Sequence, residues 1–266
     1  MKKVLICGAT GFIGKNITLG LSKNKNYKIT AVRFKRPAYK TPKNVTWKKV
    51  DLRNSQAVSK LMMGVDVVIQ AAATTSGSKD IVSMPYIHVT DNAVINSFMF
   101  RSAYEHNIKH FIFPSCTVMY PSSKSPTRES DFTGEIIDKY KGAGETKVYL
   151  EKIAKFYSMI GKTKYTIIRH SNIYGPHDKY DLDKSHVFGA TITKVMKSKN
   201  NLEVWGDGSE IRDFLYAEDL VDFIKKAMNK QKTSYEIYNC GSGKPITIKK
   251  LCSLIVKISK KPLKIT

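Results

Sequence analysis

Residues 4–14 read VLICGATGFIG, a short apolar run that passes directly into glycines at 8, 11 and 14. An apolar stretch of that length reads as a buried strand, and the pattern over Ile13–Ser22 reads as a helix. The glycines therefore occupy a strand-to-helix turn. Glycine there permits a tight turn, close approach of the backbone to a pyrophosphate, and close contact between helix and strand. The helix N-terminus adds N–H groups and a dipole that favour an anion. A lone glycine triplet is a weak signal; lodged between the first strand and first helix, it indicates dinucleotide binding. The lysines ahead of the apolar run look like the start of a signal peptide, but the run is too short and leads straight into the turn.

The same alternation continues outward from this unit. Strand-like runs fall at Val4–Cys7, Ile29–Arg33, Val45–Val50, Val65–Ala73, Phe111–Ser115 and Tyr165–Ile173, with helical stretches at Ile13–Ser22, Ser55–Met62, Asn92–His106 and Thr146–Ile160. Strands alternating with helices predict right-handed βαβ units around a parallel sheet. The fold class is α/β: a Rossmann-type doubly wound parallel sheet with a smaller C-terminal substrate-binding domain. Residues 1–170 form the dinucleotide-binding domain. Residues 171–266 are mostly the substrate-binding domain, with segments returning to the sheet.

With 266 residues, 42% of them hydrophobic, the chain can bury one large core or two modest ones. It has no run near the ~20 apolar residues of a membrane span. Cys7, Cys116, Cys240 and Cys252 show no metal-type spacing, and the length argues against a disulfide framework, so a reducing cytoplasm is expected. The formal net charge is +23, and it is uneven: residues 1–50 hold thirteen Lys or Arg and no Asp or Glu, and residues 237–266 hold seven and none. Such a field attracts nucleotide phosphates, nucleic acid or acidic membrane, or is simply solvated lysine. The aromatic motifs of RNA-binding modules are absent, which makes nucleic acid the less favoured partner.

After the second strand, where a free ribose 2′-hydroxyl usually meets a carboxylate, the sequence is AVRFKRPAY, residues 31–39. Arg33, Lys35 and Arg36 suit a 2′-phosphate through charge-assisted bonds, so NADP(H) is favoured over NAD(H). The alternative is that these are exposed loop charges and NAD binds without an acidic contact.

Taken with Asp51–Leu52, DVVIQAAA at 66–73, Thr146–Lys147, RHSNIYGP at 169–176, WGDGSEIRDFLYAEDL at 205–220 and YNCGSGKPITI at 238–248, the chain resembles the extended short-chain dehydrogenase/reductases that act on nucleotide sugars. NIYGPHDKYDLDKSHV at 172–187 and VWGDG most resemble the GDP-4-keto-6-deoxymannose epimerase/reductases, or GDP-fucose synthases. The resemblance implies cofactor contacts from Gly8, Thr10, Gly11, Phe12, Ile13 and Gly14, from Asp51 and Leu52 near the adenine, from Ala71, Ala72 and Ala73, and from Lys147 and His170. It implies substrate contacts from Asn172, His186, Val187, Lys194, Trp205 and Arg212. Arg212 would clamp the diphosphate, or pair at the surface with Asp213 or Asp219. No metal is implied. A homodimer through two helices per subunit, near 92–106 and 146–160, is implied as well. The family runs on for several tens of residues past the C-terminal SKKPLKIT, which suggests either a truncation or an unusually short natural protein.

In this family a tyrosine exchanges a proton with the sugar while a lysine one helical turn later holds the cofactor ribose and lowers the phenol's pKa, and a Ser or Thr assists. Residues four apart share a helix face, so the spacing is physically sensible. Here Lys147 is present, but Ala143 stands at the tyrosine position. Cys116 falls at the Ser/Thr slot, with Ser115 and Thr117 on either side. Tyr140 lies roughly 10 Å further along the axis, if a helix survives Gly142 and Gly144 at all. Tyr149 points away from Lys147. The alanine is either an engineered substitution or a natural departure.

His186 matches the family's epimerising acid/base, a role suited to imidazole near neutral pH. The partner cysteine of that step aligns with Thr117 or Val118, one residue from Cys116. The leading reading is an NADP-linked nucleotide-sugar epimerase/reductase with an impaired chemical step. A 4-epimerase or 4,6-dehydratase is the second, although Thr117–Val118 lacks the dehydratase's Asp–Glu pair. A catalytically inactive cofactor- or nucleic-acid-binding member is the third.

Overall fold

The computed structural model describes residues 1–266 except 75–82, 124, 183, 184 and 205. Seven parallel strands form the central sheet: β1 (Lys2–Cys7), β2 (Tyr27–Arg33), β3 (Val45–Lys49), β4 (Val67–Gln70), β5 (His110–Pro114), β6 (Lys164–His170) and, far along the chain, β11 (Tyr235–Cys240). Their spatial order is β11–β6–β5–β4–β1–β2–β3. Strands buried on both faces read as continuous apolar runs rather than alternating ones. Val4–Cys7 and all of β4 and β5 are accordingly buried.

Helices cover both faces. On one side α1 (Phe12–Ser22) and α6 (Ala217–Lys230) pack through Ile17, Leu21, Leu220, Val221 and Ile224. On the other, α2 (Ser55–Met62), α3 (Thr90–Glu105) and α4 (Lys141–Ile160) bury Leu61, Met99, Phe100, Leu150 and Ala154. Phe100 is the hub of that face, with ring centroids 4.9 Å from Phe111, 5.6 Å from Phe113 and 5.9 Å from Tyr165. Each such side chain contributes about 1.5–3 kcal/mol by leaving water.

From β1 the chain winds outward to β2 and β3, then returns to place β4 on the other flank of β1. That reversal is a topological switch point, and the crevice beyond the carboxyl ends of β1 and β4 is where a doubly wound sheet binds its ligand. Beyond the sheet, α5 (Val187–Lys197) and α7 (Ile248–Ser259) enclose a third core of Val195, Leu202, Phe214, Ile248, Leu251, Cys252 and Leu263. Three two-stranded pairs border it: β7 (Asn172–Tyr174) with β10 (Phe214–Tyr216), β9 (Ile211–Arg212) with β12 (Ile246–Thr247), and β8 (Asn201–Leu202) with β13 (Lys264–Ile265).

Two expectations shift. The run Tyr165–Ile173 is not one strand, because Ser171 N–H turns to the Cys240 carbonyl and Asn172 begins pairing with Phe214. The helix that carries Lys147 starts at Lys141 rather than Thr146, in spite of Gly142 and Gly144. Gly144 is there for packing, since a Cβ would sit 2.7 Å from Ile136 Cγ2.

The tightest backbone approach in the sheet layer is at the glycine turn. A Cβ on Gly14 would lie 2.1 Å from the Gly8 carbonyl oxygen, which nothing flexible can relieve. Gly14→Ala is therefore expected to lower the melting temperature by at least about 5 °C, a shift readable by calorimetry on the unliganded protein; an unchanged midpoint would show that the turn can open without loss.

Candidate active site

The glycine turn is built from backbone alone. Gly8 adopts φ +73°, and a Cβ there would meet Ala71 O and the Ala72 backbone at 2.6 Å. Gly11 N–H donates to Gly8 O at 2.9 Å, and Ala9 N–H to Val32 O at 3.0 Å. Gly11 is the N-cap of α1, so no side chain caps the first turn. Its N–H groups and the helix dipole favour an anion there. The β4 end that abuts Gly8 is held by α3: Gln70 Nε2 donates to Asn96 Oδ1 at 3.0 Å and to Ala72 O at 3.2 Å, and Asn92 Oδ1 accepts the Thr74 N–H at 2.8 Å. A Cβ at Gly8 or Gly14 would strike the neighbouring backbone, so the turn stays free of side chains, an arrangement that fits a dinucleotide pyrophosphate.

The basic cluster after β2 gathers beside this turn. Arg36 reaches Thr10 O at 3.5 Å, Arg33 reaches Arg36 O at 3.4 Å, and Lys35 lies 5.7 Å from the Phe34 ring centroid. The sequence reading missed Arg53, whose guanidinium lies 5.5 Å over the same ring. Arg53 grips Asp51 with Nε at 3.0 Å and Nη2 at 2.8 Å, and lies 3.5 Å from Asp91. Hydrogen bonds from Arg53 hold the Asp51 carboxyl below the usual carboxylate range. The DLR triplet at 51–53 carried the signal for this pair. Leu52 turns its side chain into the core.

At the mouth of β5, Lys147 Nζ donates to Pro114 O at 3.1 Å and sits 4.5 Å over the Phe113 ring. Burial lowers its pKa, against the opposing pull of Cys116 and Glu151. Burial likewise raises the Cys116 thiol, with Lys147 pulling it down. Ala143 lies one turn before Lys147 on the same face of α4. Tyr140 is the residue that caps α4, and Tyr149 is exposed. Thr117, half-buried, closes a turn in which its carbonyl accepts the Tyr120 N–H at 3.1 Å. Ser115 departs from its expected place: its hydroxyl is buried and donates to Glu151 Oε1 at 2.7 Å.

Ser115 is part of a buried network that composition did not reveal. Arg169 and Glu151 are each 4% exposed and pair at 2.7 Å. Arg169 Nη1 also donates to Tyr120 Oη at 2.6 Å and Glu129 O at 3.2 Å, and Tyr120 Oη donates to Asn239 Oδ1 at 2.9 Å. The network ties α4, one turn beyond Lys147, to β6, β11 and the Cys116–Tyr120 loop. At the end of β6, His170 Nδ1 lies 2.9 Å from the Ser171 carbonyl, which can only accept, so Nε2 is left as the ring's acceptor. Burial, with Lys147 and His186 nearby, lowers the His170 pKa to about 4.

The expected substrate residues spread over the smaller core. Asn172 Nδ2 donates to Asp213 O at 3.3 Å; His186 is the N-cap of α5, Val187 begins that helix, and Lys194 Nζ reaches Glu203 O at 3.3 Å. Arg212 pairs with neither Asp213 nor Asp219 but with Glu210, at 2.7 Å between exposed side chains, so its guanidinium is reachable by a ligand at little cost. Trp205 lies outside the described residues. Asp213, also missed, organises the loop after β11: it accepts from Ser171 Oγ at 2.8 Å, Ser242 N at 2.8 Å and Gly243 N at 2.7 Å. Burial works against its charge, but these bonds win and hold the carboxyl below the usual carboxylate value. Among the described residues, no group of three or more His, Cys, Asp or Glu could hold a metal ion, and no helix is long and apolar enough to cross a membrane. All four cysteines are unpaired.

Breaking a buried pair strands a charge, which costs about 3–5 kcal/mol, whereas removing both partners costs much less. Arg169→Leu should thus fall sharply in urea midpoint, and Arg169→Leu combined with Glu151→Leu should recover part of the loss. Additive losses in the double variant would mean the pair is not coupled.

Comparison with known proteins agrees with this geometry. Residues 4–241 match the model of the NAD dependent epimerase/dehydratase family. The chain is 28% identical over 265 residues to GDP-L-colitose synthase of Yersinia pseudotuberculosis, covering 96% of this chain and 82% of that protein. It is 27% identical over 265 residues to GDP-L-fucose synthase of Azorhizobium caulinodans, covering 97% and 80%. In structure it superposes on UDP-N-acetylglucosamine 4-epimerase from Methanobrevibacter ruminantium M1 with a TM-score of 0.86 at 23% identity, over 100% of this chain and 85% of that one. With the glycine turn at the switch point and Lys147 across the crevice, the chain belongs to the NAD-dependent epimerase/dehydratase family.

Proposed function

We propose that this protein is an NADP(H)-linked epimerase/reductase of nucleotide-diphosphate sugars, with a GDP-4-keto-deoxysugar as the favoured substrate. The observation that carries the reading is the meeting, at the carboxyl ends of β1, β4, β5 and β6, of an uncapped glycine turn with Lys147 and the Cys116–Thr117 loop. A nicotinamide dinucleotide, when bound, supplies hydride exchange. The GDP-sugar preference is supported by the two synthases of similar sequence, both named for GDP-sugar products. NADP(H) rather than NAD(H) is supported by Arg33 and Arg36 beside Thr10, with Arg53 neutralised by its own carboxylates and so less available.

Within this site, Gly8, Thr10, Gly11, Phe12, Ile13 and Gly14 hold the pyrophosphate, and Lys147 orients the ribose. His186 moves protons at the carbons beside a keto group, with Cys116 or Thr117 as its candidate partner. Residues 1–170 serve the dinucleotide and most of 171–266 the sugar nucleotide, whose diphosphate Arg212 clamps. Ala143 leaves the proton normally handled by a phenol without a carrier, so the chemical step is impaired. A cytoplasmic homodimer completes the proposal; Tyr149, Phe156, Met159 and Ile160 expose an apolar face on α4 that a second copy would cover. The competing reading, a cofactor-binding member without catalysis, is favoured by one observation: Ser115 gives its hydroxyl to Glu151 while Ala143 supplies none.

Calorimetry of the ligand-free protein should show NADPH binding roughly tenfold tighter than NADH, about 1.4 kcal/mol, with the preference lost in Arg33→Ala/Arg36→Ala. Absence of affinity for either dinucleotide would overturn the reading. Ala143→Tyr should create or raise turnover of a GDP-4-keto sugar with NADPH, and no gain over the parent chain would refute the vacant-acid account.

A further inference from the structure

Arg53 is pinned along its edges. Its Nε and Nη2 donate to the Asp51 carboxylate at 3.0 and 2.8 Å, its backbone N–H donates to Asp51 Oδ1 at 3.0 Å, and Nη1 lies 3.5 Å from Asp91 Oδ2. Two carboxylates on one guanidinium leave no net positive charge to offer a phosphate. What they fix is its plane. Cζ stands 5.5 Å over the Phe34 ring, and a guanidinium stacks well on aromatic faces. The side chain is still 43% exposed. With its edges on carboxylates and Phe34 behind it, the part left open is a broad planar face.

That face lies at the carboxyl edge of the sheet. Asp51 follows β3, whose end is tied to β2 by the Val50 N–H donating to Arg33 O at 2.9 Å. Phe34 follows β2, two residues past Val32, whose carbonyl accepts the Ala9 N–H of the glycine turn at 3.0 Å. Asp91 sits in the first turn of α3 and accepts the hydroxyl of Thr74, just past the end of β4, at 3.4 Å. Arg53 thus reaches from the loop after β3 to the segment after β4, beside the turn that fits a pyrophosphate. The adenosine ribose of a dinucleotide on that turn lies at the end of β2, so its base meets the loops just beyond.

We infer that Arg53 is the plate on which the cofactor's adenine stacks, so that this chain holds the base by its face and not by its amino group. A free carboxylate at position 51 would accept the 6-amino N–H of the base. Here both Asp51 oxygens are already engaged by Arg53, Oδ1 by the backbone N–H and Nε, and Oδ2 by Nη2. Asp51 therefore acts on the base only through Arg53, as a positioning residue, and Asp91 steadies the other end of the guanidinium. The inference rests on the dinucleotide reading of the proposed function and adds the residue that sets base specificity.

Calorimetry on the ligand-free full-length chain tests this with NADPH and with its analogue carrying hydrogen in place of the 6-amino group. The wild-type chain should bind the two within about threefold of each other, since stacking is blind to the amine. Arg53→Ala should weaken NADPH roughly tenfold, and Arg53→Lys, which keeps the charge without the plane, should recover little of that loss. Because Arg53→Ala releases the Asp51 carboxylate, that variant should also begin to prefer NADPH over the amine-free analogue. A merely structural Arg53 would move the melting midpoint and leave this preference unchanged. An analogue bound more than roughly tenfold weaker by the wild-type chain shows that the amine is read, and overturns the inference without recourse to any variant. Folded Arg53→Ala that binds NADPH as the parent does overturns it equally. Should NADH bind more tightly than NADPH, the same comparison is made with NADH and its amine-free analogue, so the base test is separate from the 2′-phosphate preference. Affinity for neither dinucleotide would refute the dinucleotide reading itself, whereas firm binding with the amine read refutes only the role of Arg53.

Discussion

A single carbonyl oxygen, that of Gly8, anchors the architecture. It accepts the Gly11 N–H and lies so near Gly14 that α1 packs against the turn without any side chain between them. On its other side, Gly8 abuts the backbone of Ala71 and Ala72 at the end of β4. Three backbone segments thus converge where β1 and β4 part company. Helix dipole, uncapped N–H groups and sheet switch point coincide because no Cβ intervenes.

Across the crevice a different constraint operates. The floor beneath Lys147 is the Arg169–Glu151 pair, held in a bidentate grip and joined by Ser115, Tyr120 and Asn239. Such a network adds little net stability over apolar packing, but it fixes geometry because every member has a partner. It seats α4, and Lys147 with it, against β5 and β6. The helix keeps this position although the residue one turn before the lysine is alanine.

Around the smaller core, charge is organised locally by loops. Asp213 gathers Ser171, Ser242 and Gly243, joining the end of β6 to the loop after β11. Arg212, its neighbour in sequence, faces outward with Glu210. Asp213 closes the fold, while Arg212 just before it stays at the surface.

Local periodicity determined a good deal of this protein: the βαβ order, the glycine turn and α2 to the residue. These are short-range properties, set by neighbouring residues and by the conformations glycine allows. Chain reversal and burial decided the rest. No local pattern could reveal that Ser115 turns from the site to Glu151, that β6 ends at His170 because Ser171 bonds to Cys240, or that Arg53 folds back over Phe34. Those outcomes depend on partners up to about seventy positions away, brought together only when seven strands from both halves of the chain form one sheet. Sequence names the groups and their spacing along the chain, but a hydrogen bond is made across space, and only the folded sheet determines which groups meet.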